Sequence, residues 1–385
     1  MEKAEAVVIG GGVIGTSVAY RLAQQGRKTI LVEKGSMASG ASGACDKAVF
    51  LQSKKPGFHM ELAKASMEIY DNLRAELETP FEFQQDGGMI VIQDEEHRSM
   101  IDDLVKRQQK EGVPVDLLNG DEARKWQPEL ASDVTGATWS EKDAEVNPLL
   151  LTHAFRQAAA RHGAIIRTNT EVTDIETEHG SVSGVITNNG KIAADVVVNA
   201  AGAHAGEIGR MVGIDIPVVP RKGVILITEK VPRMIRGNVL CTQYIFLKHS
   251  KTEAGNDKSQ IGLSLGQTHS GNLLVGGSRE FAGYDRTTNP DVVTGIAAHA
   301  IRLFPFLKHV RIIRTMVGFR PYTGDGLPII DEAPEAKGFY TVAGHEGDGI
   351  ALAPVTGRIA ADLIENSGSY LTFATELGME RLRTV

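Results

Sequence analysis

The chain lacks the features that would tie it to nucleic acid, to a membrane interior or to an oxidising compartment. Its 48 Asp and Glu residues outnumber its 41 Lys and Arg residues, giving a formal net charge of −7. No overall basic field is available to hold a nucleic acid. No run of about 18 apolar residues occurs, so no transmembrane helix is expected. Cysteine is nearly absent: Cys45 and Cys241 stand in no metal-like spacing and cannot form a disulfide framework, so a reducing, cytoplasmic setting is expected. Glu2, Lys3 and Glu5 lead straight into an apolar run, without the pattern of a secretory leader. The histidines show no metal-ligand spacing, and no Ser/His/Asp arrangement emerges. What remains is ordinary for a globular protein, 42% apolar and 23% charged, and 385 residues suit two intimately connected domains.

The most informative stretch is the first. Ala6-Val7-Val8-Ile9 is an apolar run without polar alternation, as in a strand buried on both faces. It enters Gly10-Gly11-Gly12-Val13-Ile14-Gly15, followed by helical spacing (Val18, Ala19, Leu22, Ala23) that Gly26 closes. A second buried strand, Thr29 to Val32, ends at Glu33 and Lys34, with Glu33 eighteen residues past Gly15. This is the dinucleotide fingerprint. Gly10 permits the turn, Gly12 admits a pyrophosphate, Gly15 lets helix and strand pack, and the amides of Val13 and Ile14 begin the helix whose dipole favours an anion. Glu33 would hold the adenosine ribose and would repel the 2′-phosphate of NADP. NAD and FAD both remain compatible with the unit itself.

The next segment separates them. Gly35 to Cys45 is eleven residues of which all but Met37 are tiny. Ser39, Ser42, Gly43 and Ala44 suit a loop pressed against a flat, bulky ligand, which an extended FAD requires and NAD does not. Cys45 would lie near a flavin ring or serve as a small buried filler.

Further along, Pro56 to Leu77 reads as a helix, Phe81 to Gln93 as two strands turning near Asp86-Gly87-Gly88, and Asp94 to Glu111 as a helix capped by Asp94. Asp121 to Trp126 is a short helix, and Asn147-Pro148 opens another through His162. Ala164–Ile166, Thr170–Ile175 (with Val172) and Ser183–Thr187 are strands, with Asn188-Asn189-Gly190 as a hairpin turn. Asp195 to Ala203 is a buried strand ending in Ala200-Ala201-Gly202. Gly223–Thr228, Tyr244–Lys248 and Gly271–Glu280 are strand-like, Lys251–Gln260 is a polar hairpin tip, Asp291–Leu307 is an amphipathic helix, and Ile350–Ile364 is the last helix.

Four motifs, in order along the whole chain, resemble the D-amino-acid oxidase and glycine oxidase family of flavoproteins. They are the N-terminal fingerprint, Asp195-Val196-Val197-Val198-Asn199-Ala200-Ala201-Gly202, the run Gly318-Phe319-Arg320-Pro321-Tyr322-Thr323-Gly324-Asp325-Gly326-Leu327-Pro328, and Gly344-His345-Glu346-Gly347-Asp348-Gly349-Ile350-Ala351-Leu352-Ala353-Pro354. The resemblance implies an α/β protein in which a Rossmann-like FAD-binding domain (1–80, 145–215, 320–385) is interleaved with an α+β substrate domain built on an antiparallel sheet (81–144, 216–319). It implies FAD as cofactor, with Gly347, Asp348, Gly349 and Ile350 leading a helix toward the flavin.

By the same resemblance, Arg320 holds a substrate carboxylate, a task for which a planar guanidinium is suited. Tyr244 is the second carboxylate contact, or a core tyrosine. Arg279 lies above the flavin, where a cation stabilises developing negative charge, or pairs with Glu280 or Asp285 at the surface. His345 matches the family's histidine, as a base or as a backbone hydrogen-bonding residue. Glycine oxidases carry a second arginine where this chain has Gly347. The Gly276-Gly277-Ser278-Arg279-Glu280 strand is closer to flavin-bearing β subunits of sarcosine oxidase and to proline, hydroxyproline and opine-type dehydrogenases. Oxidation of the C–N bond of a small amino or imino acid is therefore expected, with oxygen or another acceptor and either a partner subunit or a homo-oligomer. The alternatives are a subunit relaying electrons, or a hydroxy-acid or glycerol-phosphate dehydrogenase. A phosphate substrate demands a basic cluster, which the substrate-domain segments do not obviously supply.

Overall fold

The three apolar runs Ala6–Ile9, Thr29–Val32 and Val196–Asn199 are adjacent parallel strands, each buried along its full length. In the computed structural model, which describes residues 2–249 and 260–382, they form the middle of a six-stranded sheet. Ile165–Arg167 adds to one side, Phe339–Ala343 to the other, and Ile329–Glu332 closes the sheet antiparallel. Helices Val13–Gln24, Phe58–Leu77, Pro148–Arg161 and Gly349–Glu365 pack together on this layer, and one continuous apolar core joins them to the sheet. Beside it a four-stranded sheet carries Glu2–Lys3 and the meander Val172–Glu178, Ser181–Thr187, Gly190–Ala193.

A second, eight-stranded sheet runs in the order Ile312–Tyr322, Val219–Lys230, Asn272–Arg279, Gln260–Gln267, Asn238–Cys241, Gly88–Ile92, Gly136–Ser140, Asp116–Asn119. It is antiparallel except where Asn238–Cys241 lies parallel to Gly88–Ile92. Helix Pro290–Leu303 covers it with Val292, Ile296, Ala300 and Leu303 inward.

Local chemistry explains most boundaries. The Asn147 side chain accepts from the amides of Leu149 and Leu150, with Pro148 in the first turn. Four expectations need correction. Phe81–Gln93 holds one strand, Gly88–Ile92, not two: Phe83 stacks on Tyr70 at 4.8 Å and Phe81 is buried in the helical core, so these aromatics do not alternate across a sheet. The helix expected from Asp94 begins at Arg98, after a turn of 3₁₀ helix. The helix expected to reach Leu307 ends at Leu303, ahead of Pro305. Tyr244–Lys248 belongs to a helix, Thr242–His249, rather than a strand. A short apolar run does not distinguish the two. The expected hairpin tip lies, apart from Gln260, outside the described residues.

Candidate functional site

At the end of the first strand Gly10 adopts φ +116°, and a Cβ there would strike the carbonyl of Ala200. A Cβ at Gly15 would strike the carbonyl of Gly10. The turn, the helix start and the Ala200-Ala201-Gly202 strand end therefore meet at a spacing that only glycine allows. Gly12 precedes the helix without capping it through a side chain, and instead the Ser42 hydroxyl accepts from the Val13 amide at 3.0 Å. Ile14 is half-buried on the first turn. Glu33 accepts from Gly11 N at 2.7 Å on one oxygen and from Gly35 N at 2.8 Å on the other, with Lys34 exposed beside it. The Thr170 amide donates to the Glu33 carbonyl at 2.9 Å, which brings buried Val172 to the same end of the cradle.

From Ser39 to Asp46 every residue is half-exposed or exposed, leaving a trough of small side chains. Gly43 passes so close to the Ala38 carbonyl that a side chain would not fit. At the trough's far end Gly318 meets Ala44, since a Cβ on Gly318 would lie 2.8 Å from the Ala44 Cβ.

The last helix, Gly349–Glu365, contains Pro354, which cannot donate to the carbonyl of Ile350. The Tyr70 hydroxyl donates to that carbonyl instead, at 2.5 Å, and Ser66 does the same for Ala351 at 2.6 Å. His345 is buried, its Nε2 is 3.0 Å from Thr356 Oγ1 of the same helix, and burial pushes its pKa down to about 3. Its described partner is thus a side chain of the last helix, and burial disfavours its charged form. Gly347 is exposed.

Asp348 anchors a cluster. Its Oδ1 takes Lys54 Nζ at 2.7 Å and Lys248 Nζ at 2.8 Å, and its Oδ2 lies 3.3 Å from His59 Nε2. Burial opposes ionisation of Asp348, but Lys248 and Lys54 hold its carboxyl well below the usual range. Lys54 is delivered by the buried stretch Leu51–Lys54, where Asp143 accepts from the Leu51 amide at 2.6 Å and the Gln108 amide group donates to the carbonyls of Gln52 and Lys54.

Two residues earlier, Glu346 sits at φ +46° with its carboxylate buried among three arginines. Its Oε1 is 3.5 Å from Arg221 Nη1, 3.8 Å from Arg279 Nε and 4.0 Å from Arg320 Nε. Burial opposes ionisation here too, and Arg279, Arg320 and Arg221 outweigh it. Arg320 donates from Nη1 to the Ser278 carbonyl at 3.0 Å and retains 17% exposure. Gly223, across the strand pair, leaves room for this guanidinium: a Cβ there would come 2.8 Å from its Cζ. Arg279 is 1% exposed and packs its Cζ 4.1 Å from the centre of the Tyr244 ring. It does not pair with Glu280 or Asp285, which Lys222 takes at 3.6 and 3.1 Å. Tyr244 itself is 8% exposed, under this cation. A narrow cleft lined by Lys55, His59, Lys248, Tyr322, Glu346 and Asp348, among others, opens beside the two clusters.

Sequence reading brought Arg320, Arg279, Tyr244 and the final glycine loop to this place but missed Glu346, Arg221, Lys54, His59 and Lys248. The substrate-domain segments do supply cations, which the sequence did not make obvious: Arg221, Lys248 and Arg279 join Lys54 and Arg320 around Glu346 and Asp348. The available signals were slight: paired cations at Lys54-Lys55 and Arg221-Lys222, each beside a proline.

Residues 5–363 match the family model described as DAO, FAD dependent oxidoreductase. The chain belongs to this family. Among its relatives is the glycine oxidase of Geobacillus kaustophilus, 31% identical over 96% of this chain and 95% of that one. The hydrogen cyanide synthase subunit HcnC of Pseudomonas protegens is 29% identical over 94% and 92%. Among solved structures, the L-proline dehydrogenase of P. horikoshii superposes with a TM-score of 0.89 at 30% identity, covering 99% of this chain and 98% of that one. The family's cofactor fits the residues present. Glu33, the helix start at Gly12, whose first turn carries no acidic side chain, and the small-residue trough offer a ribose acceptor, an anion site and a bed for a flat ring system. Among the described residues no helix is long and apolar enough to cross a membrane, and no cluster of potential metal ligands occurs.

Proposed function

We propose that this protein oxidises the C–N bond of a small amino or imino acid. The observation that carries the reading is Arg320. It lies where the eight-stranded sheet meets the trough, is anchored by Ser278 and remains partly exposed. Its planar donors suit a carboxylate and fix which α-hydrogen faces the flavin. Bound FAD supplies a two-electron acceptor: the α-hydrogen departs with its electron pair, the C–N bond becomes C=N, and water then yields the oxo acid and the released amine. No strong base is required of the protein when the amine is neutral. Its residues position the substrate and exclude water.

In this reading segments 1–80, 145–215 and 320–385 form the FAD-binding domain, and 81–144 with 216–319 the substrate domain. Gly10, Gly12, Val13, Ile14, Gly15 and Glu33 hold the dinucleotide end. Ser42, Gly43, Ala44 and the start of the last helix border the ring. Two buried or half-buried free cysteines support a reducing, cytoplasmic setting. The test is to purify the protein, identify released FAD after denaturation, and screen amino and imino acids for anaerobic bleaching of the flavin. Absence of bleaching by any carboxylate-bearing amine would refute the reading.

A second feature supports a partner chain as electron acceptor. Strand Ile312–Tyr322 is the edge of the eight-stranded sheet, and its Ile312 and Ile313 are 43% and 61% exposed. An apolar sheet edge is a pairing surface. Slow oxygen reduction by the isolated chain and faster turnover with an artificial dye are expected. Rapid stoichiometric peroxide formation without a partner would contradict this.

A further inference from the structure

The family match ends at residue 363, and the chain continues past it. After helix Gly349–Glu365 it turns at Asn366, where φ is +47°, and comes back against the edge strand Ile329–Glu332. Leu377 and Met379 are buried there, and the Met379 amide donates to Asp331 Oδ2 at 2.8 Å. The returning segment therefore has anchors of its own.

Arg381 joins this segment to a loop of the site. Its Nη1 donates to the carbonyls of Leu377 and Gly378 at 2.7 and 2.8 Å, which fixes the side chain on its own segment. Its Nε donates to Asp325 Oδ2 at 2.7 Å, and its Nη2 to the carbonyls of Leu327 and Pro328, both at 2.9 Å. A guanidinium carries five N–H donors in a rigid fork, and each of these has an acceptor. The loop so held follows directly on Arg320 and Tyr322. Its Gly324, Asp325 and Gly326 line the narrow cleft with Tyr322 and Glu346, and Glu346 lies 4.0 Å from Arg320. Gly326 sits at φ +80°, and a Cβ on Gly324 would meet nothing within 4 Å. Two such glycines give the loop a backbone freedom that a clamp from outside removes.

We propose that Arg381 is a positioning residue that holds the rim of the substrate cleft narrow and so limits the bulk of the amine admitted. It acts through Asp325, Leu327 and Pro328 and touches neither substrate nor cofactor. This rests on the C–N oxidation reading above and names the element that confines the substrate to small amines.

The holoenzyme is tested by anaerobic flavin reduction with sarcosine and with N-benzylglycine, which differ only in the group on nitrogen. In wild type the second-order rate constant for sarcosine should exceed that for N-benzylglycine on the order of 100-fold. In Arg381→Met that ratio should narrow about tenfold, through a lower KM for N-benzylglycine, and Arg381→Lys should lie between. A segment that only stabilises the fold would lower the melting temperature and leave the ratio alone. Hydrogen exchange supplies a readout independent of turnover: the Gly326 and Leu327 amides should exchange at least about tenfold faster in Arg381→Met, while strand Phe339–Ala343 keeps its protection. Should Arg381→Met fail to fold, Asp325→Asn loosens the same pair from the rim side and carries both measurements. Unchanged exchange in the loop, or faster exchange with an unchanged ratio, overturns the inference and leaves the C–N reading standing. If no amine bleaches the flavin, that reading falls, and the exchange measurement still decides for or against the clamp.

Discussion

Replacing Arg320 by lysine isolates geometry from charge. The ammonium keeps the positive charge near Glu346, but it cannot reproduce a guanidinium that donates to Ser278 at 3.0 Å while presenting a second edge to a carboxylate. Loss of one charge-assisted pair in a desolvated site costs about 2–5 kcal/mol. At 1.4 kcal/mol per decade, kcat/KM for an amino acid should fall roughly 30- to several-thousand-fold. The flavin spectrum should stay near normal, since the trough is built from Gly35–Asp46 and not from Arg320. A complementary substitution, Gly223→Ala, leaves the arginine in place but puts a methyl group against its Cζ, so it should impair the same step by displacement. The assay is stopped-flow flavin reduction with an amino acid and with the corresponding amine lacking the carboxylate. Wild type should use the bare amine poorly, and Arg320→Lys should barely alter that residual rate. Equal loss on both compounds, or no loss on either, would show that Arg320 is structural and remove the main support for the substrate class.

Gly12→Val should yield a colourless protein, because a branched side chain beside Ser42 fills the space for a pyrophosphate; release of FAD on denaturation at one per chain would refute this. Tyr70→Phe leaves the Ile350 carbonyl, already deprived of a donor by Pro354, without its hydroxyl partner, and should cost about 1–3 kcal/mol in denaturant unfolding. Burial lowers Lys54 to about 8 from 10.5, so the folded protein sheds this proton before the unfolded chain does. Stability from this group is therefore absent below pH 8 and accrues as pH rises toward 10.5. The stability difference between wild type and Lys54→Met should grow by about 3 kcal/mol across that window, and a flat difference would disprove the shift.

How much of this was legible depended on range along the chain. The strands Ala6–Ile9 and Thr29–Val32 with the glycine turn between them are a local pattern, and so is Asn147-Pro148 as a helix start. Each element's own residues carry the reason for it. The Asp348 cluster is different: Lys54 and Asp348 are 294 positions apart, and neither has a neighbour that announces the other. Glu346 sits in the motif with nothing local to mark it, yet its left-handed backbone and three arginine contacts exist only in the folded chain. Tyr244 illustrates a third limit. Its apolar neighbours suit a strand or a helix, and contacts such as the Tyr244 amide donating to Cys241 Sγ at 3.4 Å accompany the helical choice.

One packing detail reaches across the whole cofactor. Helices Val13–Gln24 and Gly349–Glu365 touch where the Ser17 hydroxyl donates to the Ala353 carbonyl at 2.8 Å, and Gly357 lies so close to Ser17 that a side chain has no room. In the proposed reading one helix begins at the glycine turn that would take the pyrophosphate and the other beside the bed for the ring. Their crossing works like the pivot of a caliper, fixing the gap between the jaws. A methyl group at Gly357, far from either jaw, would open that gap, so FAD would be gripped at its nucleotide end or at its ring but not well at both.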